Sequence, residues 1–126
     1  MMAADRIGSI EETEKSLQAT LEDLSEKKIA LEHLEEEVLE SAEETIYHLN
    51  QVLTFTRTPS DTLVTNDIID SVRRYMRDID AHFEERKTLL KSQEEVAFDA
   101  LEDIRYQKRM EFARLEEEKR KEKIDG

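Results

Sequence analysis

Apolar residues that recur every seven positions on both sides of a single proline leave this chain few ways to fold. Between Ile68 and Leu115 two such columns run side by side: Ile68, Tyr75, His82, Leu89 and Val96 form one, and Met76, Phe83, Leu90, Ala97 and Ile104 the next, one residue on. A recurrence of seven is a helical period, because a strand repeats every two residues. Two adjacent columns make a stripe wider than the a/d seam of a two-stranded coiled coil, and Val72, Ile79, Ala100 and Leu101 widen it further. One partner helix covers a narrow seam, so a stripe of this breadth implies more than one neighbour.

The upstream half carries its own series. Ser9 with Glu12 reads as a capping box that opens a first helix, with the residues before it, Gly8 included, expected to fray. Ile10, Leu17, Leu24, Leu31 and Val38 then recur every seven residues, with Leu21, Ala42 and Leu49 on the adjoining position and Val52 closing the series. Glu14, Lys28 and Glu35 fall on that adjoining column, where they interrupt the seam, limit pairing strength and help fix register.

The pattern breaks at TFTRTPSDTLVTND, the one stretch rich in Thr, Ser, Asp and Asn, which holds the only proline. Pro59 disfavours helical geometry at Thr58, so the first helix ends near Phe55, a rod of roughly 70 Å at 1.5 Å per residue. Two starts are open for the second helix: Ser60 or Asp61 can cap it, or Thr65, Asn66 and Asp67 a turn later. No Gly or Pro follows before Gly126. The expected fold is all-α, a single domain in the form of an elongated, coiled-coil-like antiparallel hairpin with helices over about 9–56 and 61–123 and frayed ends at 1–8 and 124–126. Phe55 and Leu63, apolar residues among turn formers, are expected to form a small cap over the hairpin end.

Composition narrows the function. Of 126 residues 40% are charged and 37% hydrophobic, enough to bury a seam but not a thick globular core. There is no Cys, which excludes thiol chemistry and a disulfide framework. A net charge of −13 disfavours nucleic acid and anionic lipid as main targets. The charge is uneven: Glu11 to Glu44 holds thirteen acidic residues against three lysines, and Leu101 to Lys123 seven acidic against eight basic. No apolar run approaches the roughly 18 residues a transmembrane helix needs, and the start, MMAADRIGS, lacks the features of a Sec signal. The chain is therefore expected in the cytoplasm, or exported along with a partner.

Catalytic constellations do not emerge. His33, His48 and His82 are scattered, none in the Glu-x-x-His pairing of di-iron bundles, and His82, on the stripe, is expected to be a partly buried structural residue. No phosphate-cradling glycine loop, EF-hand loop or hydrolase motif is present. The chain is thus read as a non-enzyme with no cofactor or metal. Its expected activity is docking of another helical protein through Tyr75, Phe83, Leu90, Ala97, Phe98 and Ile104, with a homodimer as the second arrangement this stripe allows. The column through Phe83, Leu90, Ala97 and Ile104 is the one expected against a second chain.

Two short patterns, Phe98-x-x-x-Glu102 and Phe112-x-x-x-Glu116, place an aromatic and a carboxylate one turn apart on a helix face. An aromatic-x-x-x-acid pair on the second arm of a small hairpin resembles the export signal of type VII secretion substrates. With the acidic first arm, the short Pro-containing turn and the stretch LEDIRYQKRMEF, the chain resembles the small accessory proteins encoded beside LXG toxins in Gram-positive bacteria. It lacks the Trp-x-Gly turn of the best-known hairpins of that system, and Glu stands where their acid is usually Asp. The resemblance implies an adaptor that binds the helical N-terminal domain of a toxin, alone or with a second small hairpin protein, and targets it for export. Phe98 with Glu102, or Phe112 with Glu116, would then be targeting contacts. Two other readings compete: a self-associating coiled-coil spacer of phage or cytoskeletal type, and a prefoldin-like holding chaperone, whose arms would be joined by β-hairpins that the stretch between Phe55 and Ile68 is too short to hold.

Overall fold

A computed structural model describes residues 3–56 and 58–125, with the side chain of Asp125 left aside. It contains two helices, α1 (Ala3–Phe55) and α2 (Pro59–Asp125), which form a helical hairpin. Their pairing falls into two units: a turn unit, Lys27–Leu89, and a terminal unit in which α1 up to Glu26 packs on α2 from Leu90. In the terminal unit Arg6 meets Glu111, while Glu14, further along α1, meets Lys108 and Arg105, earlier on α2. The two helices therefore run antiparallel there.

Both helix starts differ from the expected ones. Ser9 lies inside α1, where its carbonyl accepts the Thr13 hydroxyl at 3.2 Å, so the capping box is not formed. Packing explains the extension: Ala3 and Ile7 are buried, and tertiary burial outweighs the cost of about 1 kcal/mol for a glycine such as Gly8 within a helix. At the other start the cap is Thr58, neither Ser60 nor Asp61 nor the later Thr65, Asn66 and Asp67. The Asp61 amide donates to Thr58 Oγ1 at 3.2 Å, and Pro59 takes the first helical position, where its missing N–H is no loss. The expected fraying is likewise replaced by helix at residues 3–8 and through Asp125; Met1, Met2 and Gly126 lie outside the described residues.

The sequence columns divide cleanly. Phe83 and Ala97 are buried at 9% and 7% exposure, and Met76, Leu90 and Ile104 of the same column are half-buried. Their neighbours one residue earlier face out: Tyr75 is 64% exposed and Val96 68%, with Ile68, His82 and Leu89 also exposed. The column expected against a second chain is thus the one the hairpin itself covers. A seam needs contact every three or four residues, and only the column from Met76 to Ile104 joins smoothly to Ile69, Val72 and Ile79 on one side and to Leu101 on the other.

Burial along the helices also shows one offset on each. On α1 the seam runs through Leu31, Glu35, Val38, Ala42, Ile46, Leu49 and Leu53, with two successive steps of four at Ala42. On α2 it runs through Met76, Ile79, Phe83, Lys87 and Leu90, with two steps of four at Phe83. Both stutters belong to the turn unit, and the Glu35 to Lys87 ion pair places them opposite each other. A stutter locally relaxes the left-handed supercoil, and matched stutters let both helices relax together. The offset also moves the end of the α1 series from Val52, which is exposed, to Leu53, which is half-buried.

Candidate docking surface

Several charged residues of the seam, Glu14, Glu35, Lys87, Lys108 and Glu111, are paired across it. Glu14 accepts hydrogen bonds from Lys108 Nζ at 3.0 Å and Arg105 Nε at 3.3 Å, and these cations, Lys108 first, hold its carboxyl below the usual carboxylate range. Glu111 accepts from Arg6 at 2.8 Å and from Arg114 at 2.6 Å; the Arg6 hydrogen bond is the main reason its carboxyl is also held low. Glu35 pairs with Lys87, whose ammonium is stabilised in its charged form chiefly by that contact. Glu14 and Glu35 therefore interrupt the apolar series without leaving unmatched charge in it, whereas Lys28 is exposed.

Glu35, Asp80 and Glu84 bring carboxylate oxygens within 4.8 Å of one another. Lys87 contacts both Glu35 and Glu84, so an ammonium stands where a metal ion would have to sit. Two of its three carboxylates are thus already paired with a cation.

Open clefts occur in both units: the terminal unit has one lined by Ser9, Ile10, Tyr106 and Met110 together with the charged Arg6, Glu111 and Arg114, and the turn unit has three that are less charged. One shallow cleft on α2 is lined by Val64, Asp67, Ile68, Ser71, Val72 and Tyr75. A second, between the helices, is lined by Glu37, Val38, Ser41, Ala42 and Thr45 of α1 with Val72 and Tyr75 of α2. Val72 and Tyr75 line both, so the two clefts adjoin at these side chains, and together they are called the groove. A third cleft, at Val52, Phe55, Thr56, Asp61, Val64 and Thr65, joins it through Val64. Phe55, 82% exposed, and Leu63, 65% exposed, do not close over the hairpin end as expected; with so few residues between the helices, no element among the described residues lies over them.

The groove is apolar for local reasons. Thr45 turns its hydroxyl onto the Ser41 carbonyl at 3.0 Å, Thr65 onto Asp61 at 2.9 Å and Thr56 onto Val52 at 2.7 Å. Each donor is thus satisfied within its own arm and asks for no partner from outside. Ser41, Ala42 and Thr45 are also small, so another helix can approach α1 closely. Among the described residues, none that lines these three clefts is basic, and the charged ones are Glu37, Asp61 and Asp67.

Of the six residues expected to bind a partner, Phe83 and Ala97 are buried and Leu90 and Ile104 half-buried in the hairpin, while Tyr75 and Phe98 are exposed. Tyr75 belongs to the turn unit and Phe98 to the terminal unit. Both aromatic-acid patterns lie in the terminal unit, with Phe98, Glu102, Phe112 and Glu116 all exposed. The sequence reading missed Ser41 and Thr45. Their signal is a run of small residues on α1 opposite Val72 and Tyr75, and it becomes readable only once the helix register is known. Among the described residues no helix is long and apolar enough to cross a membrane. In comparisons with known proteins, no family model, no curated protein and no solved structure matches the chain.

Proposed function

We propose that this chain is a non-enzymatic adaptor: a helical hairpin that docks the helical N-terminal domain of a secreted LXG-type toxin and targets it for type VII export. The supporting observation is the apolar groove of the turn unit, centred on Val72 and Tyr75, which the hairpin builds and does not cover. Val64, Ile68 and Tyr75 are more than two-fifths exposed within a span of twelve residues, which leaves apolar side chains available to a partner there. The export step comes from the resemblance of Phe98-x-x-x-Glu102 and Phe112-x-x-x-Glu116 to type VII signals. Those residues are exposed on the terminal unit and accessible to a secretion component.

The division of labour gives the test. In a strain that lacks this chain, complementation with wild type should restore toxin in the culture medium. Tyr75→Glu with Ile68→Glu should lose co-purification with the toxin and its export together. Phe112→Ala with Glu116→Ala should keep the complex and lose export. Undiminished toxin export without the chain would refute the adaptor reading.

A further inference from the structure

We infer that the groove of the turn unit is built for an amphipathic helix of a different protein, one that carries lysine or arginine beside its apolar face. This rests on the adaptor reading and adds to it the surface and the chemistry of the partner. Shape argues for a helix. Ser41, Ala42 and Thr45 form a low floor on α1 with Val72 and Tyr75 across from them on α2, and Val64 and Ile68 line the adjoining cleft on α2. Val64 to Tyr75 spans three helical turns, about 16 Å, so a segment of about a dozen residues would fill it.

Charge decides which helix. Among the described residues, the charged ones that line the groove and its extension toward the turn are Glu37, Asp61 and Asp67, and the one cation bonded to a lining side chain is Arg74, whose guanidinium turns back along α2 to Ser71 Oγ at 3.4 Å and the Asp70 carbonyl at 3.4 Å. Glu44, seven residues from Glu37 and exposed, continues that edge, and from Leu34 to Ile46 α1 carries six glutamates and no cation. A second copy seated here by two-fold symmetry would bring this acidic edge against itself, and like charges across an interface are costly. A basic flank on the incoming helix meets the edge with opposite sign.

Isothermal titration calorimetry of the full chain against two synthetic helices tests the assignment. Both peptides would have about 21 residues and the same leucine and alanine face, one flanked by lysine and the other by glutamate. The lysine peptide should bind at least about tenfold more tightly, and the gap should narrow as salt is raised. Glu37→Lys with Asp67→Lys should reverse the preference, and Ser41→Arg, with helical content checked by circular dichroism, should weaken the lysine peptide at least about tenfold. Glu85→Lys with Glu95→Lys, an equal charge change at exposed positions away from the groove, should leave the preference in place. Equal binding of the two peptides, binding of neither, or binding that responds to Glu85 and Glu95 as much as to Glu37 and Asp67 would overturn the assignment. So would a dimer of the chain alone that Tyr75→Glu dissociates, since the groove would then belong to a second copy. The two proposals fail separately: peptide discrimination with unaffected toxin export would leave the groove assigned and refute the adaptor, and the reverse result would do the opposite.

Discussion

Glu14 sits on the seam of a helix pair and is stabilised there by Lys108 and Arg105. Its carboxyl, like that of Glu111, is held below its ordinary value of 4.5. The linkage has a definite sign: a depressed carboxylate contributes stability above its unfolded pKa and loses it as pH falls through the lower folded value. Urea denaturation should therefore show wild type more stable than Glu14→Gln at pH 7. The difference should shrink once the pH passes below about 4.5, and a difference that grows on acidification would contradict the pairing. Phe83 and Tyr75 make a second contrast at this scale, eight residues apart on one helix, one buried and one exposed. Phe83→Ala should cost about 3 kcal/mol by the same denaturation experiment, whereas Tyr75→Ala should stay within about 0.5 kcal/mol.

Much of the element scale was legible in the sequence. Seven-residue recurrence and the lone Pro59 mark two helices and one turn, and the structure has both. Three things were hidden, each for a physical reason. The Ser9 signal for a helix start is local, and the burial of Ala3 and Ile7 that overrides it is tertiary. Thr58 as a cap was obscured by better-ranked candidates after it, although Pro59 at the first helical position pointed to the residue just before. The choice between two adjacent columns depends on which of them continues the three- and four-residue steps through Ile69, Val72, Ile79 and Leu101, and a count of sevens within each column does not show that. Register between the helices is marked by opposite charges, which can be tested by exchange. Glu35→Lys should lower the thermal midpoint by setting two ammonium groups together, and adding Lys87→Glu should recover most of the loss. Failure of the double exchange to recover stability would mean that these residues do not meet.

At the scale of the whole molecule, the stripe that looked too wide for one partner divides into a covered half and an open half. The inner column, through Phe83 and Ala97, closes on the chain's own first helix, while Ile68 and Tyr75 of the outer column line an open groove with an acidic edge. Sequence reasoning named Tyr75 as an anchor but assigned the inner column to the partner, because breadth alone does not say which half of a stripe is covered. Absence of cysteine gives the most direct test, since a single introduced thiol can carry an environment-sensitive fluorophore. The label would be placed at Ser71, which lines the groove, or at Ser92, which is exposed and lines none of the three clefts. On titration with the helical N-terminal domain of the toxin, emission from Ser71 should shift to the blue and saturate while emission from Ser92 stays constant. A complex that forms with Ser71 silent, or with both labels responding alike, would contradict docking in the groove.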